Sequence, residues 1–162
     1  MIRNGAHRIV YCGPQTHFFM PLRSRFNAWR QAYLDNQLPD PVSELAILNT
    51  FPDSKTHYDE LLQSGTVDVV FIPAYGDFTF AAGRAIRAGM RIPEDIRLVC
   101  FDNMEKIGED IGIVSSYIRL PLETIASRAV EYLLTVARCK DMSPVRMQFE
   151  CSVVVTCNRF LI

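Results

Sequence analysis

The sequence lacks any stretch that would anchor the chain in a membrane or send it out of the cell. No apolar run approaches the roughly 18 residues that a membrane-spanning helix needs, and residues 1–5 do not form a signal peptide. The formal net charge is −1, so no overall basic field attracts nucleic acid. We therefore expect a soluble, cytoplasmic protein with no membrane partner and no direct contact with DNA.

The common motifs of catalysis and metal binding are also absent. The sequence contains no G-x-S-x-G nucleophile elbow, no P-loop and no G-x-G-x-x-G fingerprint. Its three histidines, His7, His17 and His57, do not have metal-ligand spacing. An enzyme would have to use Cys12 with His17 five residues later, and a low pKa at the Cys12 thiol would support that alternative. We predict a protein that is not an enzyme and holds no metal or cofactor.

The five cysteines are odd in number and form no C-x-x-C pair. Cys12 and Cys100 end apolar strands, where a free cysteine behaves as a small buried hydrophobe. This usage favours a reducing cytoplasm over a disulfide framework. The composition, with 49% hydrophobic and 22% charged residues in a chain of 162, is that of one ordinary globular domain.

Short apolar runs alternate with segments of helical periodicity along the chain. The runs at 8–12, 45–48, 67–73 and 96–101 predict strands, and those between 67 and 101 suit strands covered on both faces of a parallel sheet. Helical patterns cover 22–36, 56–64 and 121–136. This alternation predicts an α/β fold with a doubly wound, mostly parallel sheet flanked by helices.

Candidate binding residues follow the predicted strands. Three loops come after strands that we expect to be parallel, and their carboxyl ends converge on one rim of such a sheet: 13–20, 74–79 and 102–104. That rim carries Arg25, Asp77 and Asp102, with the aromatic rings of Tyr75 and Phe78 nearby. Carboxylate acceptors, a forked donor and a stacking ring suit a small polar ligand such as a sugar better than they suit chemistry.

Each of these side chains also has a structural interpretation. Asp102 stands just past a strand and equally suits a cap of the next turn. Asp77 suits the N-cap of the helix that follows it. Arg25 suits the solvated face of an amphipathic helix, whose apolar stripe contains Leu22, Phe26, Trp29 and Tyr33. The residues alone leave these alternatives open.

The order I-P-E-D-I-x-L-V-x-F-D-N at 92–103 resembles the hallmark segment of the lactose-repressor (LacI/GalR) family, in its sugar-binding-protein-like effector core. Family members usually have Gly where Cys100 stands and Asp where Asn103 stands. The order S-S-Y-I-R-L-P-L-E-T-I-A-S-R-A-V-E-Y-L-L at 115–134 is similar to a second family segment, L-T-T-V-R-Q-P-x-x-x-(L/M)-G-x-x-A-x-x-x-L-L. The resemblance implies one lobe of a type I periplasmic-binding-protein-like fold.

The resemblance also implies roles for two of the candidate residues. The order R-x-R-x-x-x-W at 23–29 matches a family segment in which the second arginine points into the cleft between two lobes and holds the effector, which makes Arg25 the effector-binding residue. Asp77 falls at the position of a cleft asparagine. The implied function is the ligand-sensing and dimerisation core of a LacI-type transcriptional regulator, whose small polar effector, a sugar or secondarily a nucleobase or nucleoside, modulates DNA binding.

Family members are about twice as long and begin with a DNA-binding headpiece and a first lobe. We therefore expect this chain to be a fragment: a carboxyl-side lobe at 1–112, a crossover and a helix that would pack on the first lobe at 113–140, and closing strands at 141–162. A homodimer would reach operator DNA only through the headpiece, which is missing here. The helix near 121–138 would leave an apolar face uncovered.

Two other classes of protein have a related architecture. A periplasmic sugar-binding protein of a transport system shares the two-lobed fold, and it is the nearer alternative. A flavodoxin-like receiver domain would need a cluster of acids after the first strand, where Gly13-Pro14-Gln15 stands instead.

Overall fold

The computed structural model describes residues 6–14, 20–48, 54–104, 110, 112–113, 115–139 and 143–155. Within them the strands are β1 (Ile9–Gly13), β2 (Ala46–Leu48), β3 (Val69–Ile72), β4 (Arg97–Cys100), β5 (Ser116–Arg119) and β6 (Ser152–Val154). The helices are α1 (Met20–Asp35), α2 (Val42–Leu45), α3 (Ser54–Gln63), α4 (Phe78–Arg87) and α5 (Leu122–Arg138), and a 3₁₀ turn, Tyr75–Asp77, leads into α4.

The strands form one six-stranded sheet in the order β2-β1-β3-β4-β5-β6. The first five strands are parallel, and β6 pairs antiparallel with β5 at one edge. The chain leaves β1 to reach β2 on one side and returns to β3 on the other, so the topological switch point lies between β1 and β3. The predicted doubly wound, mostly parallel sheet is confirmed.

Helices cover both faces of the sheet because successive strand residues point to opposite sides. Tyr11 packs edge-on against Phe26 of α1, with ring centroids 5.0 Å apart, and Trp29 of the same helix donates from Nε1 to the Ile9 carbonyl at 2.9 Å. On the other face the fully buried Tyr58 of α3 lies near Cys12. The stripe predicted for α1 therefore does face the sheet.

The segment before β4 forms a tight turn after α4. Gly89 ends the α4 region with a φ of 79°, a conformation that glycine adopts without strain. Arg91 donates from its main chain and its guanidinium to Asp95, and these bonds lower the pKa of that carboxyl to about 2. This turn fixes where β4 begins beside β3 in the sheet.

Two predicted elements differ from the structure. The predicted strand at 45–48 begins one residue later, because Leu45 closes the single turn of α2. The closing strands expected at 141–162 are represented, within the described residues, by Ser152–Val154, which pairs antiparallel with β5. No helix of the described part is long and apolar enough to span a membrane.

Candidate functional site

The carboxyl ends of β1, β3 and β4 form the rim where the sequence predicts a ligand site. The structure brings Arg25, Asp77 and Asp102 together there, since the charges of all three reach the thiol of Cys100 at the end of β4. The pKa of that thiol is raised to about 12, chiefly by burial and also by the two carboxylates, while the charge of Arg25 lowers it. Of the first predicted loop, residues 15–19, including His17, lie outside the described residues.

Arg25 is half-buried on α1 and makes two well-defined contacts with the sheet. Its Nη1 donates to the carbonyl of Pro73 at 2.5 Å, just past β3. Its Cζ lies 3.7 Å from the centre of the Phe101 ring, just past β4, well inside the range of a cation–π interaction. The alternative of a solvated surface arginine is therefore a poor description of Arg25. Arg23, two residues earlier, is exposed, and among the described residues its side chain hydrogen-bonds to Met20 of its own helix.

Asp102 links two of the rim loops. Its Oδ2 accepts a hydrogen bond from the main-chain N–H of Tyr75 at 3.0 Å, so the second residue after β4 holds the loop after β3. The next residue, Asn103, accepts from the Leu120 N–H at 2.7 Å and donates to the Leu120 carbonyl at 3.2 Å. Asp102 and Asn103 together tie the rim to the segment that leads from β5 into α5.

Asp77 occupies the N-cap position of α4, but its side chain makes no capping hydrogen bond. Its carboxylate instead faces the end of β1. Burial and then the negative charge of Asp77 raise the pKa of the Cys12 thiol far above its ordinary value, and the same two causes raise the pKa of Tyr11. Capping alone does not account for the orientation of Asp77.

The two aromatic candidates behave differently. Tyr75 is 51% exposed at the start of the 3₁₀ turn, where its ring is open to the rim. Phe78 is fully buried in the core, because the 3₁₀ turn runs directly into α4 and turns the first residue of that helix toward the sheet. The prediction that Phe78 stacks on a ligand is therefore wrong, and Phe101 is the rim aromatic that the sequence analysis missed.

The two buried thiols near the rim, Cys12 and Cys100, do not support nucleophilic chemistry. Cys12 and Cys100 are both fully buried and both have a raised pKa, so neither is a thiolate near neutral pH. The condition that would have favoured an enzyme, a low pKa at Cys12, is not met. Among the described residues no group of three or more His, Cys, Asp or Glu side chains is placed to hold a metal ion.

The rim thus offers a fixed guanidinium, two carboxylates and an open tyrosine ring at the switch region of a parallel sheet, where ligands bind in open α/β folds. The family model for periplasmic binding protein-like domains matches residues 1–155. This chain belongs to that family. The match agrees with the fold class predicted from the sequence.

Several solved structures that resemble this periplasmic binding protein-like chain are transcription regulators. It is 25% identical to the regulator CelR in a complex with cellobiose, at a TM-score of 0.73 over 95% of this chain and 47% of that one. The regulator CcpA of Lactococcus lactis is 15% identical (TM-score 0.72, 95% and 56% covered). A LacI family regulator from Enterococcus faecalis V583 with bound ribose is 16% identical (TM-score 0.68, 95% and 55% covered).

The periplasmic binding protein-like chain therefore spans about half the length of the solved proteins it resembles. No curated protein sequence matches it significantly. At 15–16% identity the likeness to CcpA and to the ribose-bound regulator supports the fold alone. The resemblance to the LacI/GalR family at 92–103 and 115–134 of the sequence agrees with this group of structures.

Proposed function

We propose that this chain is the effector-binding and dimerisation core of a LacI-type transcriptional regulator, and that it is not an enzyme. The observation that carries the proposal is the guanidinium of Arg25, held between Pro73 and Phe101 beside two carboxylates. Such a site binds a polar molecule but contains no activated nucleophile. The likeness to a regulator whose solved structure is a complex with cellobiose supports the same conclusion.

The ligand that fits this rim is an uncharged molecule rich in hydroxyl groups. Asp77 and Asp102 accept hydrogen bonds from hydroxyls, Arg25 donates to their oxygens, and two carboxylates against one guanidinium disfavour an anionic ligand. The exposed ring of Tyr75 can stack on the apolar face of a sugar. A sugar is therefore the first choice, and a nucleobase or nucleoside is the second.

A thermal-shift experiment tests the ligand class. Cellobiose or ribose should raise the unfolding temperature of the chain, because a ligand that binds only the folded state stabilises it by RT ln(1 + [L]/Kd). Asp102→Asn is the matched control, since its amide oxygen still accepts from the Tyr75 N–H but the charge is lost. If the unfolding temperature rises equally in the unaltered chain and in Asp102→Asn, the sugar stabilises the protein only as a general osmolyte. If adenosine alone raises it, the ligand class is a nucleoside.

The domain organisation that we propose is a carboxyl-side lobe at 1–112, a crossover and helix at 113–140 and closing strands at 141–162. The support is α5, none of whose residues is buried. Its exposed large apolar side chains are Leu122, Val130, Leu133, Leu134 and Val136. We propose that a first lobe covers this face, that the regulator is a cytoplasmic homodimer, and that it meets operator DNA through a headpiece outside this chain.

The exposed face of α5 leads to a prediction about the 162-residue chain by itself. An apolar patch of this kind drives association, so the mean mass in solution should rise with concentration. Leu133→Glu should shift the chain toward monomer, with an association constant lower by at least about tenfold, because a charge would have to be buried in the contact. Sedimentation equilibrium measures this change.

Arg128→Glu is the control for that prediction, because Arg128 lies exposed on the same helix and pairs only with Glu131 in the described structure. It changes charge without removing apolar area. The same loss of association in both variants would mean that charge, not the apolar face, governs the contact.

The nearest alternative is a periplasmic sugar-binding protein of a transport system, which would use the same rim. The coding sequence upstream of Met1 separates the two functions. A helix-turn-helix segment and a first α/β lobe are expected for the regulator, whereas a signal peptide and a lobe without a headpiece would replace it by the transport receptor.

A further inference from the structure

The support under Arg25 is made of two residues that follow adjacent strands. The Pro73 carbonyl, directly after β3, accepts from Nη1 at 2.5 Å. The Phe101 ring, directly after β4, lies 3.7 Å from Cζ and covers one face of the guanidinium. Among the described residues, these two contacts hold the group by one edge and one face.

The sheet fixes these two supports relative to each other. Strands β3 and β4 are paired, with Ile72 opposite Cys100, and the ladder extends one step further because the Phe101 N–H donates to the Ile72 carbonyl at 2.8 Å. Pro73 and Phe101 are the next residues on the two strands. The acceptor and the ring therefore sit directly at the paired end of the sheet, each one residue past its strand.

A held arginine differs physically from a free one. The long side chain has many rotamers, and a ligand that must order it loses binding free energy to that ordering. Arg23 shows the free case on the same helix, because it is exposed and reaches only the sulfur of Met20. Arg25 is already oriented, and its planar fork matches paired oxygen acceptors only in a fixed orientation.

We propose that Phe101 is the positioning residue for Arg25: its ring holds the guanidinium in the ligand-binding orientation before any ligand arrives. The proposal rests on the proposed function, in which Arg25 binds the effector. It assigns a role to the phenylalanine of the F-D-N segment beside the carboxylate of Asp102. The carbonyl of Pro73 sets the edge of the guanidinium, and the ring of Phe101 sets its plane.

Phe101→Leu and Phe101→Tyr test the proposal in the whole chain. Leucine keeps an apolar side chain but offers no π face, whereas tyrosine keeps the ring. The first readout is the NMR resonance of the Arg25 Nε–H, assigned by its absence from Arg25→Lys. A ring 3.7 Å from Cζ should shift this resonance upfield. We expect the shift to disappear in Phe101→Leu and to persist in Phe101→Tyr.

The second readout is the dissociation constant for cellobiose, followed by NMR titration. We expect Phe101→Leu to bind about tenfold more weakly and Phe101→Tyr to bind as the unaltered chain does. Thermal unfolding of both variants checks that the fold is kept. An Nε–H resonance that Phe101→Leu leaves in place would overturn the proposal.

The outcomes for this proposal and for the proposed function are distinguishable. If Phe101→Leu binds cellobiose unchanged while Arg25→Ala loses binding, Arg25 is a ligand residue and Phe101 does not position it. If Arg25→Ala binds cellobiose unchanged, Arg25 is not a ligand residue, and Phe101 then has no binding residue to position. If the unaltered chain does not bind cellobiose, the choice of sugar fails, and the resonance alone decides whether Phe101 orients the guanidinium.

Discussion

Arg25→Ala should weaken binding of the effector by about 10- to 150-fold, which is the largest effect on binding that we expect from any single substitution at the rim. A hydrogen bond to a charged group contributes about 1.5–3 kcal/mol, and each 1.4 kcal/mol corresponds to a factor of ten. Arg25 is held in place by Pro73 and Phe101, so its removal takes away a donor that is already oriented. NMR titration with cellobiose measures the loss.

Arg23→Ala is the matched control for this prediction. It removes the same type of side chain from the same helix, two residues away, but from an exposed position that contacts only Met20 in the described structure. Its dissociation constant should stay within about twofold of that of the unaltered chain. If the two variants weaken binding equally, the effect is one of overall charge and Arg25 does not belong to the binding site.

Both Arg25 and the strands around it could be predicted from the sequence, for different reasons. The strands at the centre of the sheet are apolar runs bounded by Gly and Pro, and such local patterns define β1, β3 and β4 closely. The family resemblance distinguishes Arg25 from other arginines. Local periodicity does not, because it is the same for an arginine that packs on the end of a sheet and for one that points into solvent. The structure separates Arg25 from Arg23 by burial and by contacts that join distant segments.

The supports of Arg25 are long-range, and this is why sequence patterns did not reveal them. Pro73 is 48 residues from Arg25 in the chain, and Phe101 is further still. The pairing of β3 with β4 brings the two supports to the same place. No window of neighbouring residues contains this information, although Phe101 directly precedes the Asp102 that the sequence analysis did select.

The error at Phe78 has a local cause. The sequence analysis treated 74–79 as one loop, which would leave every side chain in it open to a ligand. The backbone instead forms a 3₁₀ turn over Tyr75–Asp77 and begins α4 at Phe78. An amphipathic helix must bury its apolar face, so its first residue enters the core, while Tyr75 in the preceding turn stays exposed.

Gly13→Ala should destabilise the fold by about 1–3 kcal/mol, the cost typical of an extra methyl group in a packed site. A Cβ at this position would lie 2.8 Å from Cδ of Pro73 and closer still to its Cγ, and 3.4 Å from Oδ2 of Asp77. The pyrrolidine ring cannot rotate away as a flexible side chain would. In a chain of this size, each kcal/mol should lower the unfolding midpoint by about 2–4 °C, which thermal denaturation measures.

Gly76→Ala is the control for that effect, since a Cβ at Gly76 meets nothing within 4 Å, and its midpoint should change little. Gly13→Ala should also weaken ligand binding, because displacing Pro73 moves the carbonyl that holds Nη1 of Arg25. Equal midpoints for the two variants would contradict the close approach of β1 to Pro73. A lower midpoint with unchanged cellobiose binding would mean that the rim tolerates movement of Pro73, and that the Phe101 ring alone sets the orientation of Arg25.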